Sequence, residues 1–105
     1  KDISEINRQE IATQQENFVL NTKSQLRQQQ SNIYKLKQLL ATDDAIIELK
    51  TEVKEAAKAQ LENGVITASD YLREVNAEDQ ARQTSIMHHL QLLQAMLNYS
   101  ITTGK

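Results

Sequence analysis

The chain has no proline, no cysteine and no tryptophan, and it carries only two glycines and one phenylalanine. Each shortage excludes something. Without proline, no residue lacks the amide or fixes the ring that would break a helix. With two glycines, there are few places where the backbone can turn cheaply through positive φ. Without cysteine, disulfides and thiolate metal sites are ruled out. An aromatic content of 4% argues against a compact globule with a large aromatic core. Charge of one sign is missing too: 12 Lys and Arg stand against 14 Asp and Glu, a net −2. Nothing in that balance favours nucleic acid or an anionic membrane surface. No apolar run approaches the ~20 residues that span a bilayer. No signal peptide is recognisable, and the chain opens on Lys1-Asp2 rather than Met, so it reads as a piece of a longer protein.

What is present is the composition of long helices: Gln, Ala, Leu, Glu, Lys and Ile. At 105 residues it is one domain at most. From Ile3 to Glu62 nothing forbids a continuous helix. Val19, Leu26, Ile33, Leu40 and Ile47 recur every seven residues, with Leu36, Leu49, Val53, Ala56 and Ala57 on neighbouring positions. A sustained seven-residue repeat marks a coiled-coil seam. The seam is impure, because Thr22, Gln29 and Asp43 stand where a second apolar residue is expected. Thr42-Asp43-Asp44, three poor interior helix formers, is the place where a kink is expected if there is one.

The helical pattern stops once, at "LENGVITASDYL", residues 61–72. Asn63-Gly64 reads as a helix C-terminus with Gly64 in the left-handed conformation. Thr67 followed by Asp70 reads as a capping box that starts a second helix, with the carboxylate placed well for the helix dipole. That helix runs over 67–103 and stops at Gly104. A short turn (63–66) between long helices makes them antiparallel neighbours. The expected fold is therefore all-α: a long antiparallel two-helix coiled-coil hairpin. Folding about residues 64 and 65 sets Leu36 against Leu93, Leu39 against Leu90, Ile33 against Met96 and Ala57 against Leu72. It also sets Lys50 opposite Asp79 and Lys54 near Glu74. The first helix is the longer, so its N-terminal part has no partner within the chain, although it holds Ile3, Ile6, Ile11, Phe18, Val19 and Leu20. Such residues imply cover by other helices. The isolated piece is expected to form a non-native helical dimer or bundle.

The chemistry of an enzyme is missing. His88 and His89 point about 100° apart on a helix and cannot close on one metal as an i, i+4 pair can. They read as surface or seam histidines. Asp43-Asp44 fails as a catalytic dyad for the same reason. No glycine-rich phosphate loop or nucleophile elbow occurs, and a two-helix rod offers no pocket that desolvates a substrate. Catalysis, cofactors and metals are not expected. The glutamines, Gln28-Gln29-Gln30 among them, read as solvated helix surface. Ala56, Ala57, Ala59, Ala68, Ala77 and Ala81 fit close helix approach and plain helix propensity equally well. At the tip, Asn63-Gly64-Val65-Ile66-Thr67 fits an ordinary hairpin turn, but Val65 and Ile66 are apolar where a solvated turn prefers polar residues. Their presence at an exposed apex favours docking.

Residues 61–105 resemble the last periplasmic hairpin of the TolC-type outer-membrane efflux proteins. The resemblance rests on Gly64, Thr67, Asp70, Leu72, Ala81, Leu93, Leu97 and Gly104, with about the family's gap between the two glycines. Residues 1–60 match only as a long polar helix. The family's aromatic before the turn is Leu61 here. Where the family's second aperture carboxylate stands, three residues after the first, this chain has Arg73. Asp70 and Arg73 are thus aperture candidates, and a doubled acidic ring is not implied. The resemblance implies a homotrimeric duct in the outer membrane of a Gram-negative cell, of which this hairpin forms part of the periplasmic helical tunnel. It implies docking of a periplasmic adaptor (a membrane-fusion protein) at Asn63, Gly64, Val65, Ile66 and Thr67, and through it an inner-membrane pump. The alternatives are an adaptor-type hairpin, whose usual Arg-Leu and Ser tip pattern is missing here, and a structural coiled coil with no channel role.

Overall fold

The computed structural model describes residues 3–104. Two α-helices account for nearly all of it: α1, Ile3–Glu62, and α2, Ala68–Thr103. They pack antiparallel into a rod of 92 × 20 × 15 Å. α1 passes through Thr42-Asp43-Asp44 without interruption, so three weak helix formers do not break it. The reason lies across the seam, where the Asp43 side chain finds a partner on α2.

Burial follows a heptad on both helices, with a few half-buried residues such as Leu39, Thr51 and Val75 beside the line. On α1 the inward positions are Thr22, Leu26, Gln29, Ile33, Leu36, Leu40, Asp43, Ile47, Lys50, Lys54, Ala57 and Leu61. The steps alternate four and three, as a left-handed coiled coil requires. On α2 the matching line is Tyr71, Glu74, Glu78, Ala81, Ser85, His88, Leu92, Ala95, Tyr99 and Thr102. Half of the buried residues among those described are polar: Asp43, Glu78 and Ser85 stand beside Leu36, Ala57 and Ala95.

The pairing expected from the sequence needs correction. Leu93 and Leu90 are 64% and 62% exposed, so neither meets Leu36 or Leu39 in a core. Leu72 is exposed as well, and Ala57 is buried without it. Lys54 pairs with Glu78, not Glu74. Ile33 and Met96 do flank one shallow groove with Tyr99. Matching positions by number alone sets the axial register but ignores rotation about each axis. Apart from Leu92 and the tyrosines, small and polar residues on α2 hold the inward stripe, and most of its large apolar residues turn outward.

Ile86, Leu90, Leu93, Leu97 and Ile101, spaced four, three, four and four, form one outward stripe on α2. It lies on the side opposite Ser85, His88, Leu92 and Ala95. On α1, Ile3, Ile6, Ile11, Phe18, Val19 and Leu20 are exposed where α2 no longer runs alongside.

Candidate functional site

The tip is built by two caps in succession. At the end of α1, Gly64 adopts φ +73°. Its amide donates to Leu61 O at 3.0 Å, and the Val65 amide donates to Gln60 O at 2.8 Å. This pair of bonds is a Schellman motif, which satisfies carbonyls that the helix end leaves open. Thr67 then sits in an extended conformation as the N-cap of α2. Its hydroxyl accepts from the Asp70 amide at 3.1 Å, and its own amide donates to Asp70 Oδ2 at 3.2 Å. The bond from the Thr67 amide, followed by the Thr67 side chain and then the nearby Arg73, holds the Asp70 carboxyl below its ordinary range.

The apolar pair between the caps does not act as a unit. Val65 is 68% exposed. Ile66 is half-buried and lines a shallow groove with Val53, Ala56, Gln60 and Arg73. With Ile66 at N′ and Tyr71 at N4, both half-buried, the entry to α2 has the spacing of a hydrophobic staple. The expectation of two exposed apolar residues therefore holds for Val65 alone. Asn63, Gly64 and Thr67 are exposed at the apex.

Asp70 and Arg73 come together as expected from their spacing. Arg73 Nη1 lies 3.6 Å from Asp70 Oδ1, with both side chains well exposed. The carboxylate is thus shared between the cap of α2 and a guanidinium. An exposed pair of this kind contributes little to stability.

Sequence reasoning missed the most elaborate polar cluster, which lies in the seam. Glu78 accepts from Thr51 Oγ1 at 2.7 Å, from Lys54 Nζ at 3.0 Å and from Arg82 Nη2 at 3.0 Å. Its side chain is only 8% exposed. Three donors, the Thr51 hydroxyl first, lower its pKa to about 2. Lys54 is raised in turn, first by its hydrogen bond to Glu78. Further along, His88 Nδ1–H donates to Asp43 Oδ2 at 2.5 Å, and His89 Nδ1 lies 2.9 Å from Ser85 O. The two histidines thus turn to different partners, one across the seam and one along its own helix. Among the described residues, no group of side chains has the arrangement of a metal site. The available signal was the heptad itself: Asp43 and Glu78 occupy seam positions, where a carboxylate needs a partner on the facing helix.

No protein-family model, curated protein or solved structure matches the chain. No helix among the described residues is long and apolar enough to cross a membrane.

Proposed function

We propose that this hairpin forms part of the periplasmic α-helical tunnel of a TolC-type outer-membrane efflux duct. On this reading the duct is a homotrimer, and the hairpin docks a periplasmic adaptor through its tip. The observation that carries the proposal is the division of the two faces. The side turned to the partner helix is rich in polar groups, whereas α2 turns Ile86, Leu90, Leu93, Leu97 and Ile101 outward. A free-standing rod does the reverse, because its own seam is the only place to hide apolar area. A hairpin with an apolar back suits a wall in which each helix has neighbours on both sides. The tip fits the same picture, since rigid caps present one exposed apolar side chain, Val65, at the end of the rod.

The test is export by the intact parent protein carrying Val65→Asp. The cap hydrogen bonds use only the backbone of Val65, so helix content and outer-membrane abundance are expected to stay normal. Export is expected to fall at least tenfold, because docking would have to desolvate a new charge. Normal export by an abundant Val65→Asp protein removes the tip from the docking surface. Absence of the parent protein from the outer membrane rejects the duct altogether and leaves a structural coiled coil.

A further inference from the structure

The outward stripe of α2 and the bare end of α1 both lack cover within the chain, and both are apolar. Between Arg82 and Lys105 there is no Asp, Glu, Lys or Arg. Between Glu10 and Lys23 the only charge is Glu16. On a chain that is 25% charged, the last 22 residues before Lys105 thus carry no Asp, Glu, Lys or Arg, and residues 11–22 of the overhang carry one. On α1, Ile11, Gln15, Phe18 and Val19 border one shallow hollow. They continue the seam side of α1 beyond the point where α2 stops, since Gln29 already bonds to Thr102 near the end of α2. The exposed overhang, residues 3–21, is about 28 Å long and the stripe Ile86–Ile101 about 22 Å, at 1.5 Å per residue, so the stripe fits within the overhang.

We infer that two copies of this chain pair about a two-fold axis, the α1 overhang of each lying along the outward stripe of the other's α2. Each α2 is then held between two α1 helices. Its own α1 covers the side of Ser85, His88 and Ala95, and the partner copy's overhang covers the side of Leu90, Leu93 and Leu97. Because the stripe lies opposite the seam, both contacts form at once without rotating α2. The two α2 helices meet end to end at their C-termini, and the two tips point in opposite directions. On this register Phe18 comes beside Leu93, and Ile11 beside Ile86.

Area supports a second copy as the occupant. The chain exposes 8234 Å². A compact protein of 12.0 kDa exposes about 6,000 Å², so roughly 2,200 Å² per chain is in excess. In both copies that excess, about 4,400 Å², is an upper bound on what pairing can cover, and it leaves room for the roughly 1,200–2,000 Å² of a stable interface. A lipid surface fits less well, because helices that lie on membranes carry Lys or Arg along the polar face, and none occurs between Arg82 and Lys105. The pairing uses the same outward stripe that the duct reading turns to neighbouring wall helices, so it describes this chain free of those neighbours and is tested separately from export.

Sedimentation and energy transfer on the full 105-residue chain test it. Sedimentation equilibrium at tens of micromolar is expected to return twice the chain mass; a monomer or a trimer overturns the pairing. Leu93→Glu with Leu97→Glu, and separately Phe18→Glu, are expected to raise the dissociation constant at least a hundredfold. Leu49→Glu, on the exposed back of α1, is expected to leave it unchanged. Stripe variants that remain dimeric overturn the proposal. A second measurement needs no change at the interface. The chain lacks cysteine, so Ser31→Cys and Ser69→Cys each give a single labelling site. Mixed donor- and acceptor-labelled copies are expected to transfer energy at position 31, near the axis. At position 69 they are expected not to, because the tips stand about 110 Å apart. Transfer at 69 means that the copies run parallel, and the arrangement is then wrong.

Discussion

Asp43 on α1 and His88 on α2 meet across the seam with Oδ2 and Nδ1 2.5 Å apart. A carboxylate accepts only, so the imidazole proton of this bond sits on Nδ1. Both residues occupy heptad positions that would hold leucine in a plain coiled coil. Glu78 does the same ten residues earlier on α2, from the opposite helix to Asp43. Each cross-seam bond can form only when the helices are in one axial register. Polar seam groups of this kind are known to specify register at some cost in stability.

Asp43→Ala is expected to destabilise the hairpin by about 1–3 kcal/mol, because His88 Nδ1 loses its acceptor in a part-buried place. Asp43→Leu combined with His88→Leu is expected to recover that loss or exceed it, since two apolar groups replace the pair. Urea unfolding at one fixed protein concentration measures both. A double variant no better than Asp43→Ala would show that the seam cannot repack.

Acid is expected to weaken the fold through Glu78. Its pKa falls from 4.5 to about 2 on folding, so the unfolded chain binds the proton more readily. The stabilisation is then fully present above about pH 5 and is lost as the pH drops through 2. Glu78→Gln keeps acceptor oxygen but removes the charge, and it is expected to flatten this part of the profile. Thermal unfolding between pH 2 and pH 6 gives the comparison. An unchanged acid limb in Glu78→Gln would move the cause to other carboxylates. At the alkaline end, Lys54 contributes in the opposite sense, with stability lost as the pH rises through its raised pKa.

The turn is expected to respond to backbone chemistry more than to bulk. A Cβ at Gly64 meets nothing within 4 Å, so the penalty of Gly64→Val is conformational, about 1–2 kcal/mol or somewhat more for β-branching. Gly64→Asn is expected to cost much less, because asparagine tolerates the left-handed region. Thr67→Ala removes one half of the capping box and is expected to cost about 1 kcal/mol. Equal losses for Gly64→Val and Gly64→Asn in urea unfolding would contradict this account.

Val65 and Ile66 are expected to separate cleanly. Ile66→Asp puts a charge into the half-buried groove at the start of α2 and is expected to lower stability by about 1–3 kcal/mol. Val65→Asp is expected to stay within about 0.5 kcal/mol of the parent, as exposed substitutions do. Similar losses for the two would mean that the apex packs more tightly than its exposure indicates.

Local signals were read directly from the residues because they act over a few positions. The absence of proline, the lone interior glycine, and the Thr67–Asp70 spacing set two helices, one turn and both caps, since each depends on bonds among near neighbours. The seven-residue repeat likewise identified much of the inward line of α1, including its polar members Thr22, Gln29 and Asp43, but Leu49, Val53 and Ala56, read as lying on the seam side, are exposed, and Lys50 and Lys54 stand in the seam instead. α2 was harder. Its large apolar residues suggest an inward stripe, yet most of them form the outward one, and its seam is held by Glu78, Ala81, Ser85, His88 and Ala95 with Leu92 alone among the leucines.

Sequence by itself therefore determined that this chain is two long helices joined by a capped turn, because backbone hydrogen bonding and φ preference are local. Only the tertiary structure decided which way α2 faces. That choice depends on cross-seam bonds from Asp43 to His88 and from Thr51 and Lys54 to Glu78, partners 24 to 45 residues apart. A carboxylate left unpaired inside the rod costs more than a leucine left in water, so the buried polar pairs set the rotation and the leucines turn outward.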